Sequence, residues 1–159
     1  MSDGLLRVLT LIAALGSGLM AGFFFAFSVS VMKALGRLPP AQGIAAMQSI
    51  NVVVINPVFL AAFFGTAAAC VAVAISALSR WNGPGAAYLL GGALLYLVGS
   101  FLVTIVFNVP RNNALAAVNH SSAQGGPLWA SYLTVWTAWN HVRTAAALMA
   151  AAALSIALP

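Results

Sequence analysis

Three long apolar runs dominate the chain, at residues 8–32, 57–79 and 86–107. Each is as long as the roughly 20 helical residues that cross a hydrocarbon core of ~30 Å. Lys33 and Arg37 follow the first run, and an Asn-Gly-Pro-Gly turn at residues 82–85 separates the second from the third. The pattern predicts three helices that span a membrane, and the first is too long to resemble a cleaved signal peptide.

A fourth apolar run is shorter and ends in polar residues. Residues 144–158 are uncharged, but they supply only about 22 Å of helix, which is too short to cross a bilayer. The helix must therefore extend back to about residue 133 and take Asn140, His141 and Arg143 into the membrane. An ionisable side chain at such a depth normally faces a bundle interior or a cavity. We therefore predict a fourth span at 133–158, with a functional site near Arg143.

The connections between these spans differ in length. Residues 33–56 and 108–132 form two long connections on one side of the membrane, and the turn at 82–85 lies on the other side. Apolar residues recur at helical spacing after Pro39 and Pro40, which predicts a short interfacial helix there. The predicted fold class is therefore all-α: one domain, residues 1–159, forming an integral membrane four-helix bundle with short interfacial helices in the two long loops.

Composition supports a membrane location and excludes several kinds of chemistry. The chain is 63% hydrophobic and 4% charged, whereas a soluble domain has about 25% charged residues. Six basic residues are scattered singly, which disfavours nucleic acid as a partner and favours lipid headgroups at helix ends. Asp3 is the only acidic residue, so paired-carboxylate catalysis is excluded. Cys70 is the only cysteine, so an intramolecular disulfide and cysteine-rich metal sites are excluded as well.

Orientation and assembly are indicated by weaker patterns. Basic residues slightly favour the long-loop side, which would then be cytoplasmic, and we expect the membrane to be the bacterial inner membrane. Small residues at positions 14, 18, 22 and 26 would let helix backbones approach closely, either inside the bundle or between subunits. A 16.3 kDa bundle has little buried core, so we expect a homo-oligomer.

Polar side chains collect at the long-loop end of the predicted bundle. The first group follows span three and the second opens span four, where Trp136, Asn140 and Arg143 share one helical face and His141 points to the neighbouring face. The two groups can meet over one small, mostly apolar pocket, which suits a flat aromatic or lipophilic ligand. Other interpretations are an aromatic belt for the tryptophans, helix capping for the asparagines, and an arginine that reaches the headgroups. The residues are Asn108, Arg111, Asn112, Trp136, Trp139, Asn140, His141 and Arg143.

Two motifs in this region resemble those of a known family. Residues 108–112 have the pattern Asn-x-Pro-x-Asn, and residues 139–143 have the pattern Trp-Asn-x-x-Arg. With the Phe-rich first helix and four-span layout, the chain resembles the anthrone oxygenase-like family of small integral membrane proteins. A few members are similar to enzymes that convert an anthrone to an anthraquinone with dioxygen. The resemblance implies these site residues: Asn108, Asn112, Trp139, Asn140, His141 and Arg143.

The first functional hypothesis is an oxygenase that acts on a small lipophilic aromatic substrate and requires no cofactor. A base would form the substrate anion, which can react directly with dioxygen. His141 is the candidate base because histidine is the side chain that titrates near neutral pH, and Arg143 and Asn140 are the candidate oxyanion donors. Asn108, Asn112 and Arg111 would orient the substrate, and Trp136 and Trp139 would stack on it.

Two alternatives remain open at the level of the sequence. One is a haem-binding redox protein, in which His141 is an axial ligand and Arg143 pairs with a propionate. The other is a non-enzymatic scaffold that binds a lipid or a quinone in the same pocket. Transport is disfavoured, because the chain has no detectable inverted repeat and no intramembrane carboxylates for a proton relay.

Overall fold

The computed structural model describes residues 1–158; Pro159, the last residue of the predicted domain, lies outside the described residues. Within residues 1–158 the chain forms five helices and no strand, which confirms the predicted all-α class. They are α1 (Asp3–Leu35), α2 (Pro40–Val53), α3 (Pro57–Ser79), α4 (Ala86–Ala116) and α5 (Gly125–Ile156).

Local sequence explains where α3 and α4 begin. The Asn56 side-chain oxygen accepts hydrogen bonds from the backbone N–H groups of Val58 and Phe59, at 3.1 and 3.0 Å. Pro57 occupies the first helical position, where a missing N–H costs nothing. Gly85 precedes α4 with a φ of 76°, a left-handed conformation that glycine adopts without strain. The tight turn between α3 and α4 depends on that residue.

Four of the helices pack side by side in a ring. α1 packs against α3 and α5, and α4 packs against the same two helices. Arg80 forms an ion pair with Asp3, and Gly85 approaches Ala157. Hence the start of α1, the α3–α4 turn and the end of α5 share one end of the ring, which we call the turn end. α2 and residues 117–124 lie at the other end, the long-loop end.

Three helices, α1, α3 and α4, are long and apolar enough to cross a membrane, which indicates a membrane protein. α5 is not among them, because it carries Asn140, His141 and Arg143 within its length. The prediction of four spans is therefore confirmed for three helices, and a crossing by α5 remains a prediction.

The first long connection has the predicted short helix, and the second is shorter than predicted. The first contains the predicted short helix, α2, which packs its buried side chains Ile44 and Met47 against Trp129 and Tyr132 of α5. In the second connection the helical segment Val109–Ala116 follows the third span without a break. α4 continues through Pro110 to Ala116, and α5 begins at Gly125, which leaves only residues 117–124 between them. Pro110 does not end the helix because it enters directly after a π-helical turn.

Three π-helical segments interrupt the long helices, one in the middle of α4 and two nearer the long-loop end. They are Phe27–Val31 in α1, and Leu97–Leu102 and Thr104–Asn108 in α4. Such segments shift which residues face inward, and they are frequent at functional sites. Here they turn Ser28, Ser100 and Asn108 into buried positions.

The stripe of small residues in α1 divides between the interior and the surface. Ala14 is buried, whereas Gly22 and Ala26 are exposed. α1 also lies close to α3 at Gly16, where an added Cβ would lie 2.0 Å from the Thr66 hydroxyl oxygen. The exposed half of the stripe is free for contacts between subunits, and a homo-oligomer remains a prediction.

Candidate functional site

A cavity of about 230 Å³ lies at the long-loop end, and all five helices contribute to its lining. We call it the central cavity. α2 and the residues that follow it cover one side with Met47, Ile50, Asn51 and Val54. Its polar lining residues are Asn51, Thr104, Asn112 and Arg143. The aromatic lining residues are Phe23, Phe24, Phe27, Phe59, Phe63, Phe64 and Trp136.

Arg143 is the one charged side chain that lines this cavity, and it is 5% exposed. Its Nη2 donates a hydrogen bond to the Asn140 side-chain oxygen at 2.5 Å, and its Nη1 donates to the Thr104 hydroxyl at 3.2 Å. The guanidinium carbon lies 4.2 Å from the centre of the Phe24 ring and 5.1 Å from that of Trp136. Cation–π attraction adds to these hydrogen bonds.

All of these partners are neutral. Asp3 is the only Asp or Glu in the chain, and it pairs with Arg80 at the turn end. Arg143 therefore has no side-chain carboxylate as a counterion. In addition, its Nε–H is buried without a hydrogen-bond partner among the described residues. A buried cation that lacks an anionic partner is costly, and such an arrangement is typical of a functional site.

Asn140 holds Arg143 in place from the adjacent turn of α5. Its amide nitrogen donates to the Phe24 carbonyl oxygen and to the Ser28 hydroxyl, both at 2.7 Å. Its oxygen accepts from Arg143, so three groups fix a side chain that is fully buried. Asn140 therefore orients the guanidinium and ties α5 to the π-helical turn of α1.

Asn108 and Asn112 hold Trp136 in place. Asn108 is buried, and its amide nitrogen donates to the Trp136 carbonyl oxygen at 3.1 Å. The Asn112 side-chain oxygen accepts from the Tyr132 hydroxyl and from the Trp136 indole N–H, both at 2.8 Å. Both asparagines thus bond across to α5. Of the two, Asn112 also lines the central cavity.

Five of the eight predicted site residues do not line the central cavity. Asn108 and Asn140 bond to residues that line it, and the other three lie away from it. His141 is exposed and lines a separate cleft between α1 and α5, because two helical residues turn it about 200° from Arg143. Trp139 stacks on Phe107, with ring centres 3.6 Å apart. Arg111 donates to the Phe107 carbonyl oxygen at 2.6 Å, within its own helix. Their proposed roles toward a substrate remain predictions.

The structure adds residues that sequence reasoning missed. Ser28 and Thr104 complete the hydrogen bonds around Asn140 and Arg143, and Asn51 lines the cavity with a buried amide nitrogen that has no partner among the described residues. In the sequence, the available signal for Ser28 and for Thr104 was a hydroxyl side chain inside an apolar span. The π-helical turns that position them have no comparable signal in the sequence.

A comparison with known families identifies the family of the chain. The sequence model of the anthrone oxygenase family matches residues 58–153, which is more than half of the chain. The chain belongs to the anthrone oxygenase family. No curated protein and no solved structure matches it. In this anthrone oxygenase family member, the matched range contains the Asn108–Asn112 and Asn140–Arg143 groups, whereas α1 and α2, which complete the cavity, lie outside it.

Proposed function

We propose that this protein is a membrane-embedded oxygenase that binds the anion of a lipophilic aromatic substrate, of the anthrone kind, in the central cavity. The observation that carries the proposal is Arg143, a buried cation with neutral partners and aromatic neighbours. We also propose that α5 is a fourth span, in the bacterial inner membrane with the long-loop end cytoplasmic.

The electrostatics of the cavity favour a bound anion. In a lining of low dielectric, a guanidinium attracts a negative charge far more strongly than it does in water. The Arg143 Nε–H and the Asn51 amide nitrogen are buried donors that have no partner within residues 1–158, and both residues line the cavity. An enolate oxygen is an acceptor of the kind that these donors lack. The aromatic walls would hold the flat rings of the substrate.

The reaction needs no external reductant. The substrate loses a proton from its central CH₂ group, and the resulting anion transfers one electron to dioxygen. The two radicals combine to form a C–O bond, and after protonation the hydroperoxide loses water. The CH₂ group becomes a carbonyl, so one oxygen atom enters the product and the other leaves as water. The contribution of the protein is to stabilise the anion and to exclude bulk water.

Two versions of this mechanism differ in the group that accepts the proton from the substrate. The lining of the central cavity, as described, includes neither histidine nor a carboxylate. We therefore propose that the substrate loses its proton to water at the membrane surface and binds as the anion. In the version predicted from the sequence, His141 accepts the proton.

Oxygen uptake by the purified protein with an anthrone tests the proposal. We expect Arg143→Gln to lower kcat/KM by about 100-fold or more, as the loss of an oxyanion donor does, and Arg143→Lys to lower it less. Arg37→Gln, an exposed charge change at the same end, is the control and should have no effect. Unchanged turnover by Arg143→Gln would exclude the proposal. In the same series, retained turnover by His141→Gln would exclude His141 as the base.

The same sample distinguishes the alternatives. A haem protein would show a Soret band that His141→Ala abolishes. A non-enzymatic scaffold would copurify with a lipid or quinone that survives aerobic incubation unchanged, and it would consume no oxygen.

A further inference from the structure

We propose that a second site, on the outside of the bundle, binds the phosphodiester headgroup of a membrane phospholipid. The site is a cleft of about 340 Å³ between the ends of α1 and α5 at the long-loop end. We call it the outer cleft. Its lining includes Val29, Met32, Lys33, Leu133, Thr137 and His141.

Two nitrogen donors line this cleft from different helices. Lys33 lies in the last turn of α1, and His141 lies on the outward face of α5; both are exposed. An imidazole has an N–H to donate in either protonation state, and the lysine adds a positive charge. Neither can pair with a carboxylate side chain, because Asp3 is at the turn end. The cleft therefore favours an anionic ligand.

A hydroxyl group points to the same kind of ligand. The Thr137 hydroxyl oxygen is buried and has no hydrogen-bond partner among the described residues, although a buried polar atom is normally paired. Thr137 lines the cleft. A phosphate offers several strong acceptor oxygens to such a donor.

The rest of the lining favours a lipid over a free phosphate. Met32, Val29 and Leu133 give the cleft an apolar wall, which suits the glycerol and the first acyl carbons of a phospholipid. The position also fits, because Lys33 follows the apolar run of α1, at the level where lipid headgroups lie. Arg143 does not line the outer cleft, so lipid binding there can be tested apart from the role proposed for Arg143.

Native mass spectrometry of the full-length protein in detergent tests the proposal by comparing the binding of three ligands. The ligands are dioleoylphosphatidylglycerol, dioleoylglycerol with the same chains but no phosphate, and inorganic phosphate. We expect the first to bind at least about tenfold more tightly than either of the others. Lys33→Gln should weaken phosphatidylglycerol binding about fivefold, the factor that corresponds to ~1 kcal/mol per basic residue near a membrane surface. His141→Leu, which removes the N–H donor, should also weaken it.

Arg37→Gln is the matched control, because it removes an exposed charge one turn beyond Lys33 that does not line the cleft. It should leave phosphatidylglycerol binding unchanged. Equal binding of dioleoylglycerol, equal binding of inorganic phosphate, or equal weakening by Arg37→Gln and Lys33→Gln would each overturn the proposal. Loss of oxygenase activity in Arg143→Gln has no bearing on this result.

Discussion

Arg143 is unusual because neutral groups alone fix its position. The carboxamide of Asn140, the hydroxyl of Thr104 and the ring of Phe24 orient the guanidinium without neutralising it. A carboxylate in any of these positions would remove the positive potential from the cavity. The composition of the chain, with one acidic residue at the opposite end, prevents that.

At the same scale, Asn112 is expected to contribute to stability. Asn112→Ala leaves the Tyr132 hydroxyl and the Trp136 indole N–H without their acceptor. We expect the free energy of unfolding to fall by about 1–3 kcal/mol, the usual cost of buried polar groups left unpaired. Asn113→Ala, at an exposed neighbouring position, should change it by less than about 0.5 kcal/mol. Thermal unfolding in detergent measures both, and equal effects would contradict the role assigned to Asn112.

The sequence predicts that two site residues lie together only when they are close along the chain. Asn140 and Arg143 are three residues apart on one helix, so helical periodicity brings them together. Ser28 and Thr104 come from helices far away in sequence, at π-helical turns that shift the inward face. Hydrophobic pattern alone does not reveal that shift. The outward position of His141 follows from the same periodicity and required no tertiary information.

At the scale of the elements, α2 covers the central cavity. The Gln48 side-chain nitrogen donates to the carbonyl oxygens of Leu115 and Val118 at 2.8 and 2.9 Å, which ties α2 to the end of α4. Trp129 packs against Gly43 on the opposite side, where an added Cβ would lie 2.8 Å from the indole ring. The sequence predicted α2 as an interfacial helix, but its periodicity could not show that the apolar face would pack onto α5.

Gln48→Leu is therefore expected to loosen α2. The loss of two hydrogen bonds to the end of α4 should raise amide hydrogen exchange in Pro40–Val53 by roughly tenfold, since each bond contributes about 0.5–1.5 kcal/mol. Gln42→Leu is the matched control, because Gln42 is exposed in the same helix. Equal exchange in the two variants would show that the Gln48 bonds do not hold α2 in place.

At the scale of the whole molecule, the ring of four long helices accounts for the location of the site. At the turn end, Asp3 pairs with Arg80, and the tight turn at Gly85 joins α3 to α4. The long-loop end contains the cavity and most of the polar side chains. Apolar run lengths predicted α3 and the start of α4, whereas α4 extends to Ala116, beyond the run that ends at residue 107. α5 could be placed only by assuming that its polar residues enter the membrane.

Labelling from the two sides of the membrane tests the crossing by α5. In a Cys70→Ala background, single cysteines at Asn82 and Asn119 should react with an impermeant maleimide from opposite sides. A cysteine at Leu158 should react from the same side as Asn82, because α5 returns to the turn end. Reaction of positions 119 and 158 from the same side would contradict a fourth span.

The central claim is that an uncompensated positive charge in the cavity holds the substrate as an anion. Thr104→Asp places a carboxylate beside Arg143 in a cavity-lining position, and Thr104→Asn provides nearly the same shape without the charge. We predict that kcat/KM for anthrone-dependent oxygen uptake falls at least about tenfold further in Thr104→Asp than in Thr104→Asn, a difference of about 1.4 kcal/mol. Thermal unfolding should show both variants folded. Equal kcat/KM in the two folded variants would contradict the account.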